Sequence, residues 1–156
     1  MPTIYSYQKV TGNYMTLYIK MPESQEGFHS SIGTELCTID GLTYVSLPDG
    51  VSLPEDQHPE VVATIQEVTL TPELREAIKL VSPHALLIAQ RVIDKIRAVY
   101  PLEEELFFAR IAVGALQGSY TLQAGEAEEL AAYQVCVEEA RDWGRAERAK
   151  LGLYVA

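Results

Sequence analysis

The chain has 156 residues and a mass of 17.3 kDa, with 12 basic against 22 acidic side chains and a net charge of -10. This length suffices for one domain, or for a small domain with an added subdomain, and it needs neither a metal nor a disulfide to fold. The acidic balance argues against a nucleic-acid-binding surface. The sequence has no apolar run long enough to cross a membrane and no basic-then-apolar start, so we expect neither a membrane span nor a signal peptide.

The acidic residues are concentrated in the first 70 residues. This part has two cations and nine acids, a net charge of -7, whereas residues 71–156 have ten cations and thirteen acids, a net charge of -3. The acids of the first part occur singly, as on solvated loops and strands, and not in the dense helical stripes of a DNA mimic. Cys37 and Cys136 have no neighbouring cysteine or histidine. This isolation favours two reduced thiols in a cytoplasmic protein over a disulfide or a metal site.

Two β-hairpins are predicted in the first 47 residues, where β-branched residues and tyrosines are frequent. Residues 3–10 and 14–20 flank a Thr-Gly-Asn turn. Residues 35–39 and 42–47 flank Asp40-Gly41, which is the strongest hairpin signal in the chain. Alternation in the last of these segments places apolar side chains on both faces of the strand, so we do not expect it to have one clean buried face.

The segment after the second hairpin, residues 48–60, contains three prolines. It predicts a turn followed by an extended linker, because each proline biases the residue before it toward an extended conformation. Residues 61–70 are rich in valine, isoleucine and threonine and predict another strand.

From residue 71 onward the apolar period changes from about two to about 3.6, which predicts helices. Thr71 precedes a proline and an acid and predicts the N-cap of the first helix. Ser82-Pro83 ends that helix and starts a second one, with Ser82 as its cap. Pro101 separates the second helix from a third, which runs to about residue 117 with Gly118 as a C-cap.

A last helix is predicted over residues 125–151, with acids at its start and arginine and lysine at its end, as the helix dipole favours. Apolar residues at helical spacing predict the buried face of each helix. These predicted core positions are Leu86, Ala89, Ile93, Ile96 and Tyr100 in the second helix, Leu106, Ala109, Val113 and Leu116 in the third, and Leu130, Tyr133, Val137, Ala140 and Gly144 in the last.

Together the segments predict an α+β fold in which N-terminal antiparallel β hairpins precede a C-terminal segment of three to four short helices. We expect a β-rich part with a Pro-rich linker over residues 1–60. The second part, residues 61–156, would contain the last strand and the helices. These two parts either form separate domains or share one core.

No group of side chains has the spacing of a catalytic, metal-binding or cofactor-binding site. The serines beside the first histidine lack a nucleophile elbow, and adjacent acids in first helical turns are explained by the helix dipole. The three histidines lack the convergent spacing of metal ligands: His29, His58 and His84. We therefore expect no catalytic residue, no metal and no cofactor, with an enzyme of unrecognised class as an alternative.

Tyrosines outnumber phenylalanines by nine to three, and tyrosine is common in interfaces that are wet before assembly. Five tyrosines lie within the first 44 residues. The alternative is that they are good strand formers on a half-exposed sheet. Trp143 either caps the helical core or anchors a partner. The candidate interface positions are Tyr5, Tyr7, Tyr18, Trp143 and Arg145.

Three stretches carry a resemblance to a known class of proteins. Residues 34–57, TELCTIDGLTYVSLPDGVSLPEDQ, contain a strand, an Asp-Gly turn, a second strand and a Pro-rich exit. Residues 138–153, EEARDWGRAERAKLGL, are preceded by KIRAVYPLEEELFFAR at 95–110. In these stretches the chain resembles small accessory proteins of tailed phages, of the tail-fibre or tail-assembly kind. The resemblance implies a β-rich front, a helical segment with a charged end, and no active-site residues.

The leading hypothesis is a non-enzymatic phage structural or assembly protein, either a tail or tail-fibre component or an accessory. Its partners would be other tail or fibre proteins or further copies of itself, without nucleic acid or membrane. It would work in the host cytoplasm during assembly or in the virion. The alternative that the net charge of -10 suggests is a small acidic phage-encoded inhibitor or regulator of a host protein.

Overall fold

The computed structural model describes residues 1–9, 33–53, 57 and 59–155. The strands and helices in chain order are β1 (Thr3–Tyr7), β2 (Thr34–Ile39), β3 (Leu42–Leu47), α1 (Pro59–Val62), β4 (Gln66–Glu67), α2 (Pro72–Val81), α3 (Pro83–Arg97), α4 (Leu102–Leu116) and α5 (Glu126–Lys150). The antiparallel sheet lies in the N-terminal half and most of the helices follow it, so the predicted α+β class is confirmed.

The strands β2 and β3 form the hairpin that Asp40-Gly41 predicts. Ile39 pairs with Leu42, so the loop has two residues. Both loop residues have a positive φ, 49° for Asp40 and 80° for Gly41, as a type I′ turn requires. This turn type matches the twist of the flanking strands and therefore sets the register of the pair.

The strand order of the sheet is β2-β3-β1-β4, so β1 is an inner strand. It pairs with β3 from Thr3 to Tyr7 and with β4 at Tyr5 and Ser6. The pairing of β1 with β3 joins segments that are distant in sequence. Hairpin signals predict pairing only between neighbouring segments, so they do not predict this pair. The second strand of the other predicted hairpin, residues 14–20, lies outside the described residues.

The predicted strand over residues 61–70 is wrong except in β4, which has two residues. The segment begins in α1, where Pro59 lies at the first helical position and Glu60 in the first turn. Both residues favour a helix start, and they prevail over the strand preference of the valines that follow. The single turn of α1 also contributes to the core, because it buries Val61 on one face of the sheet.

The described chain divides into two compact units, one of residues 1–87 with 146–156 and the other of residues 88–145. This division differs from the expected parts, residues 1–60 and 61–156. The reason is that sheet and helices share a core in the first unit, and the end of the chain returns to it. The buried members of this core are Ile4, Leu36, Cys37, Tyr44, Leu70, Ile78, Ala85 and Leu153.

The other face of the sheet is buried as well. Tyr7, Val45, Leu47 and Val61 form a second cluster there. The strand β3 contributes to both clusters, Tyr44 to the first and Val45 to the second, as its sequence alternation predicts.

The predicted starts of α2 and α3 are confirmed, whereas α3 ends at Arg97, before the predicted stop at Pro101. The hydroxyl of Thr71 accepts a hydrogen bond of 3.2 Å from the backbone N–H of Leu74, which caps α2. The carbonyl of Ser82 accepts from the N–H of Leu86 at the start of α3. The Ser82 hydroxyl, however, is buried without a hydrogen-bond partner among the described residues, so it does not serve as the predicted side-chain cap.

Both long C-terminal helices end in a Schellman motif with glycine in the left-handed region. After α4, Gly118 has φ 70° and the N–H of Ser119 donates to Gly114 O. After α5, Gly152 has φ 71° and the N–H of Leu153 donates to Arg148 O. The predicted helix end at Gly118 is therefore confirmed, with Gln117 as the C-cap and Gly118 as the residue after it.

The prediction of the buried face is more accurate for α5 than for α3. In α5, Ala140 and Gly144 are buried as expected. In α3 the prediction is correct for Ile96 but wrong for Leu86 and Ile93, which are 51% and 39% exposed. Apolar residues cover a wide arc of α3, and the period alone does not identify which part of the arc faces the core.

Candidate functional site: an apolar face on helix α4

Helix α4 has two apolar faces, and contacts within the second unit bury one of them. This buried face carries Phe108 and Ile111. The ring of Phe108 stacks on that of Tyr133 in α5, with 5.1 Å between ring centroids, and Tyr100 lies edge-on to both rings. Such ring pairs have defined geometries, so the aromatic cluster fixes the rotation of α4 about its own axis.

The other face of α4 is exposed. Its members are Leu102, Leu106, Ala109, Val113 and Leu116, which we call the α4 stripe. Leu102, Leu106, Val113 and Leu116 are 48%, 56%, 51% and 88% exposed. The sequence predicts that four of these residues form the buried face of the helix, and this prediction is wrong. The four residues are Leu106, Ala109, Val113 and Leu116. The aromatic contacts of Phe108 hold the opposite face inward instead.

Successive members of the α4 stripe are four, three, four and three residues apart. This is the spacing of a heptad seam, with Leu106 and Val113 at a positions and Leu102, Ala109 and Leu116 at d positions. A narrow seam of this kind is the surface by which one helix packs lengthwise on another. The central residue, Ala109, is small and allows close approach of a second backbone.

The exposed apolar surface on α4 is comparable in size to the largest apolar patch of a typical monomer. Phe107, 41% exposed, lies beyond Glu103 and Arg110 as seen from the stripe, and its ring contacts that of Phe108. The side chains of the stripe together expose on the order of 500 Å², against about 300–600 Å² for the largest apolar patch on a typical monomer, which is often a functional surface. Single exposed leucines need no explanation, but a continuous stripe of this size indicates a binding surface.

Charged side chains border the α4 stripe on both sides. On one side Glu103 and Arg110 lie seven residues apart, both exposed. Neither of these two side chains has a salt bridge or hydrogen bond within the part of the chain that the structure describes. On the other side Glu105 is held by Arg97 of α3, with 3.1 Å between carboxylate oxygen and guanidinium nitrogen. Two opposite charges therefore remain available along one edge of the apolar surface.

The structure places the tyrosines chosen from the sequence away from this surface. Tyr5 and Tyr7 share one face of β1 as predicted, and Tyr5 is half-buried against the second cluster of the sheet. Tyr7 is 0% exposed and belongs to that cluster, so its ring offers no surface to a partner. Tyr18 lies outside the described residues.

Trp143 and Arg145 lie in α5, both half-buried. The ammonium of Lys95 lies 4.8 Å from the centre of the Trp143 ring, a cation–π contact that occupies one ring face. The Arg145 guanidinium forms ion pairs with Asp142 and Glu138 of its own helix, and these contacts raise the pKa of Arg145. Both side chains thus have partners within the second unit, in contrast to Glu103 and Arg110.

Of the three histidines considered for chemistry, the structure describes one. His84 is exposed at the start of α3, whereas His29 and His58 lie outside the described residues. In the described ranges no group of three or more His, Cys, Asp or Glu residues could hold a metal ion. No described helix is both long and apolar enough to span a membrane.

Compared with protein-family models, curated proteins and solved structures, the chain matches none of them.

The sequence-based choice of interface residues misses the α4 stripe, because the apolar period assigns four of its five residues to the core. The signal that could have found it is the presence of two apolar sides on α4, with Phe108 and Ile111 opposite Leu106 and Val113. A helix with two opposite apolar sides needs burial on both. The second unit covers only one side of α4.

Proposed function

We propose that this chain is a non-enzymatic phage structural or assembly protein, a tail or tail-fibre component or accessory, that works by packing the α4 stripe against an α-helix of another subunit. The observation that carries the proposal is the heptad-spaced, exposed face formed by Leu102, Leu106, Ala109, Val113 and Leu116. Exposed apolar stripes of this kind cost solubility, and function through a partner accounts for their presence.

The chemistry of the partner follows from the stripe. A coiled-coil-like seam packs against a helix whose apolar residues are also spaced alternately three and four residues apart. The reason is that each apolar side chain of the seam inserts between four side chains of the partner helix. The bordering Glu103 and Arg110 favour a partner helix that presents both signs of charge at its edge. Such a helix can belong to another tail or fibre protein or to a second copy of the chain.

The phage assignment within this proposal is supported by the resemblance of residues 34–57, 95–110 and 138–153 to tail accessory proteins. The second of these stretches contains the first half of α4, so the resemblance and the exposed surface overlap in sequence. On this proposal the protein acts in the host cytoplasm during particle assembly or stays in the virion.

The test is affinity capture from cells of the native host that carry untagged wild-type chain. Three tagged proteins are compared: wild type, the stripe variant Leu106→Glu/Val113→Glu, and the control Val135→Glu. Val135 is a suitable control because it is 57% exposed on α5 and lies outside the stripe. Captured proteins are identified by mass spectrometry.

The proposal expects wild type and Val135→Glu to retain tail or fibre proteins, or untagged copies of the chain, and the stripe variant to lose them. Equal recovery by the stripe variant and by the control would contradict a role for the stripe. Recovery of a host protein alone, released by salt, would support the acidic regulator instead, because an interface built on surface charge weakens with ionic strength.

A further inference from the structure

We infer that the helix received by the α4 stripe is α4 of a second copy of the chain, packed antiparallel about a two-fold axis. This inference rests on the proposed function and names its partner. It is carried by three properties of the stripe: its self-matching spacing, the charges at its edge and its area.

The spacing allows two copies of the stripe to mesh. In an antiparallel pair, a positions of one helix lie opposite d positions of the other. Leu106 then lies opposite Ala109 of the second copy, and Leu102 lies opposite Val113 of the second copy. Two-fold symmetry repeats both contacts, which gives four layers. A large side chain faces a small one in the two central layers, so the backbones can approach closely.

The charges at the edge of the stripe select this register. Glu103 and Arg110 both occupy e positions, and in antiparallel helices the e positions of the two copies face each other. With the layers described above, Glu103 lies beside Arg110 of the second copy, and symmetry repeats this pair. Both side chains are exposed and lack partners within the described residues, so they are available for it.

The competing arrangements bring like charges together. Sliding the pair by one heptad, so that Ala109 lies opposite Val113 of the second copy, places the two copies of Arg110 side by side. A parallel pair places the acidic first turns, Glu103 to Glu105, beside each other at the same end. Like charges that lie side by side repel each other. In the parallel pair the two helix dipoles also point in the same direction, which is unfavourable.

The area of the stripe predicts the strength of the dimer. Two stripes would remove on the order of 1,000 Å² of apolar surface from water, near the lower bound of about 1,200 Å² for specific interfaces. We therefore expect a dimer that dissociates on dilution to micromolar concentration rather than an obligate one.

The test is sedimentation velocity at low salt, over a concentration series, on wild type and four variants. Glu103→Arg and Arg110→Glu each replace an attraction by a repulsion at two symmetric sites, and the double variant Glu103→Arg/Arg110→Glu restores both pairs with reversed polarity. The matched control is Glu104→Arg, which makes the same charge change as Glu103→Arg at an exposed position away from the stripe. Far-UV circular dichroism checks that all five proteins keep their helix content.

We expect wild type and Glu104→Arg to dimerise. Each single variant should associate roughly tenfold more weakly, and the double variant should associate as strongly as wild type. A wild type that stays monomeric at every concentration overturns it. So does a dimer in which the double variant does not recover, because the slipped and parallel arrangements gain no pair from the exchange. Loss of the captured tail or fibre proteins in Leu106→Glu/Val113→Glu, together with a monomeric wild type, would contradict this inference and leave the proposed function standing.

Discussion

Gly152, just after α5, packs against Ile4 of β1: a β-carbon at Gly152 would lie 3.0 Å from Cδ1 of Ile4. The two residues lie near opposite ends of the chain. Gly152 reverses the backbone in a Schellman motif, which directs Leu153 into the core that also contains Ile4. The contact therefore explains why the end of the chain belongs to the unit that contains the sheet.

Gly152→Ala should lower the free energy of unfolding by about 1–2 kcal/mol, because alanine at positive φ is strained. Gly118→Ala is the matched control, since Gly118 has φ 70° in the same motif and an added β-carbon there meets nothing within 4 Å. Denaturant unfolding followed by circular dichroism measures both. The Gly152 variant should lose more stability than the control, because its β-carbon would also crowd Cδ1 of Ile4. Equal losses would contradict close packing of residue 152 on Ile4.

Gly114→Ala should be destabilising even though alanine is the better helix former by about 1 kcal/mol. The reason is that a β-carbon at Gly114 would lie 2.8 Å from Cβ of Tyr120. Tyr120 cannot move away freely, because its N–H donates to Gly114 O and its hydroxyl donates to the Glu126 carboxylate. Thermal unfolding gives the sign of the change.

The control for the Gly114 prediction is Tyr120→Gly, which removes the β-carbon in question. In that background Gly114→Ala should be neutral or stabilising, so that the two substitutions are strongly non-additive. Additive effects would show that the loop after α4 does not pack on Gly114.

The Glu73 carboxylate should stabilise α2 at neutral pH but not in acid. It accepts hydrogen bonds from its own backbone N–H and from the Thr71 hydroxyl, and both contacts lower its pKa below the ordinary value. Since the pKa is lower in the folded chain than in the unfolded chain, the stabilisation is present above the ordinary glutamate pKa and is lost as pH falls through the folded value. Glu73→Gln should therefore melt at a lower temperature than wild type at pH 7, and the difference should shrink as the pH falls below the ordinary glutamate pKa and through the lower folded value. A difference that persists in acid would mean that the charge of Glu73 is not its cause.

Cys37 should react slowly with thiol reagents in the folded protein. Burial in the core raises the pKa of its thiol, with the nearby Glu35 as a smaller cause, and the thiolate is the reactive form. In Cys136→Ser, which leaves Cys37 as the single thiol, labelling at pH 8 should be at least about tenfold slower in buffer than in denaturant. Labelling at the same rate in both conditions would show that the core around Cys37 is open.

Local signals predicted the parts of the fold in which neighbouring residues decide the structure. Asp40-Gly41 predicted a two-residue turn because both positions require positive φ. Thr71 predicted the start of α2 because its hydroxyl satisfies a free N–H of the first turn. The partner of β1 could not be predicted in this way, since β3 is more than thirty residues away and no local preference specifies a long-range pairing.

The candidate site was mispredicted for a related reason. In α4 the leucine-rich line through Leu106 and the line through Phe108 both have helical spacing, so the sequence offers two core faces. The choice between them depends on Tyr100 and Tyr133, which come from other parts of the chain and surround Phe108. A pattern in one helix does not contain that information.

Pairing through α4 is tested most simply by the solution mass of the purified chain, measured by light scattering from about 1 µM to about 1 mM. This range brackets the dissociation expected for a small interface. The mass should rise from 17.3 kDa toward twice that value with concentration. Leu106→Glu/Val113→Glu should stay at the monomer mass, while Val135→Glu follows wild type. A wild type that remains a 17.3 kDa monomer throughout, or a stripe variant that dimerises like wild type, would contradict pairing through α4.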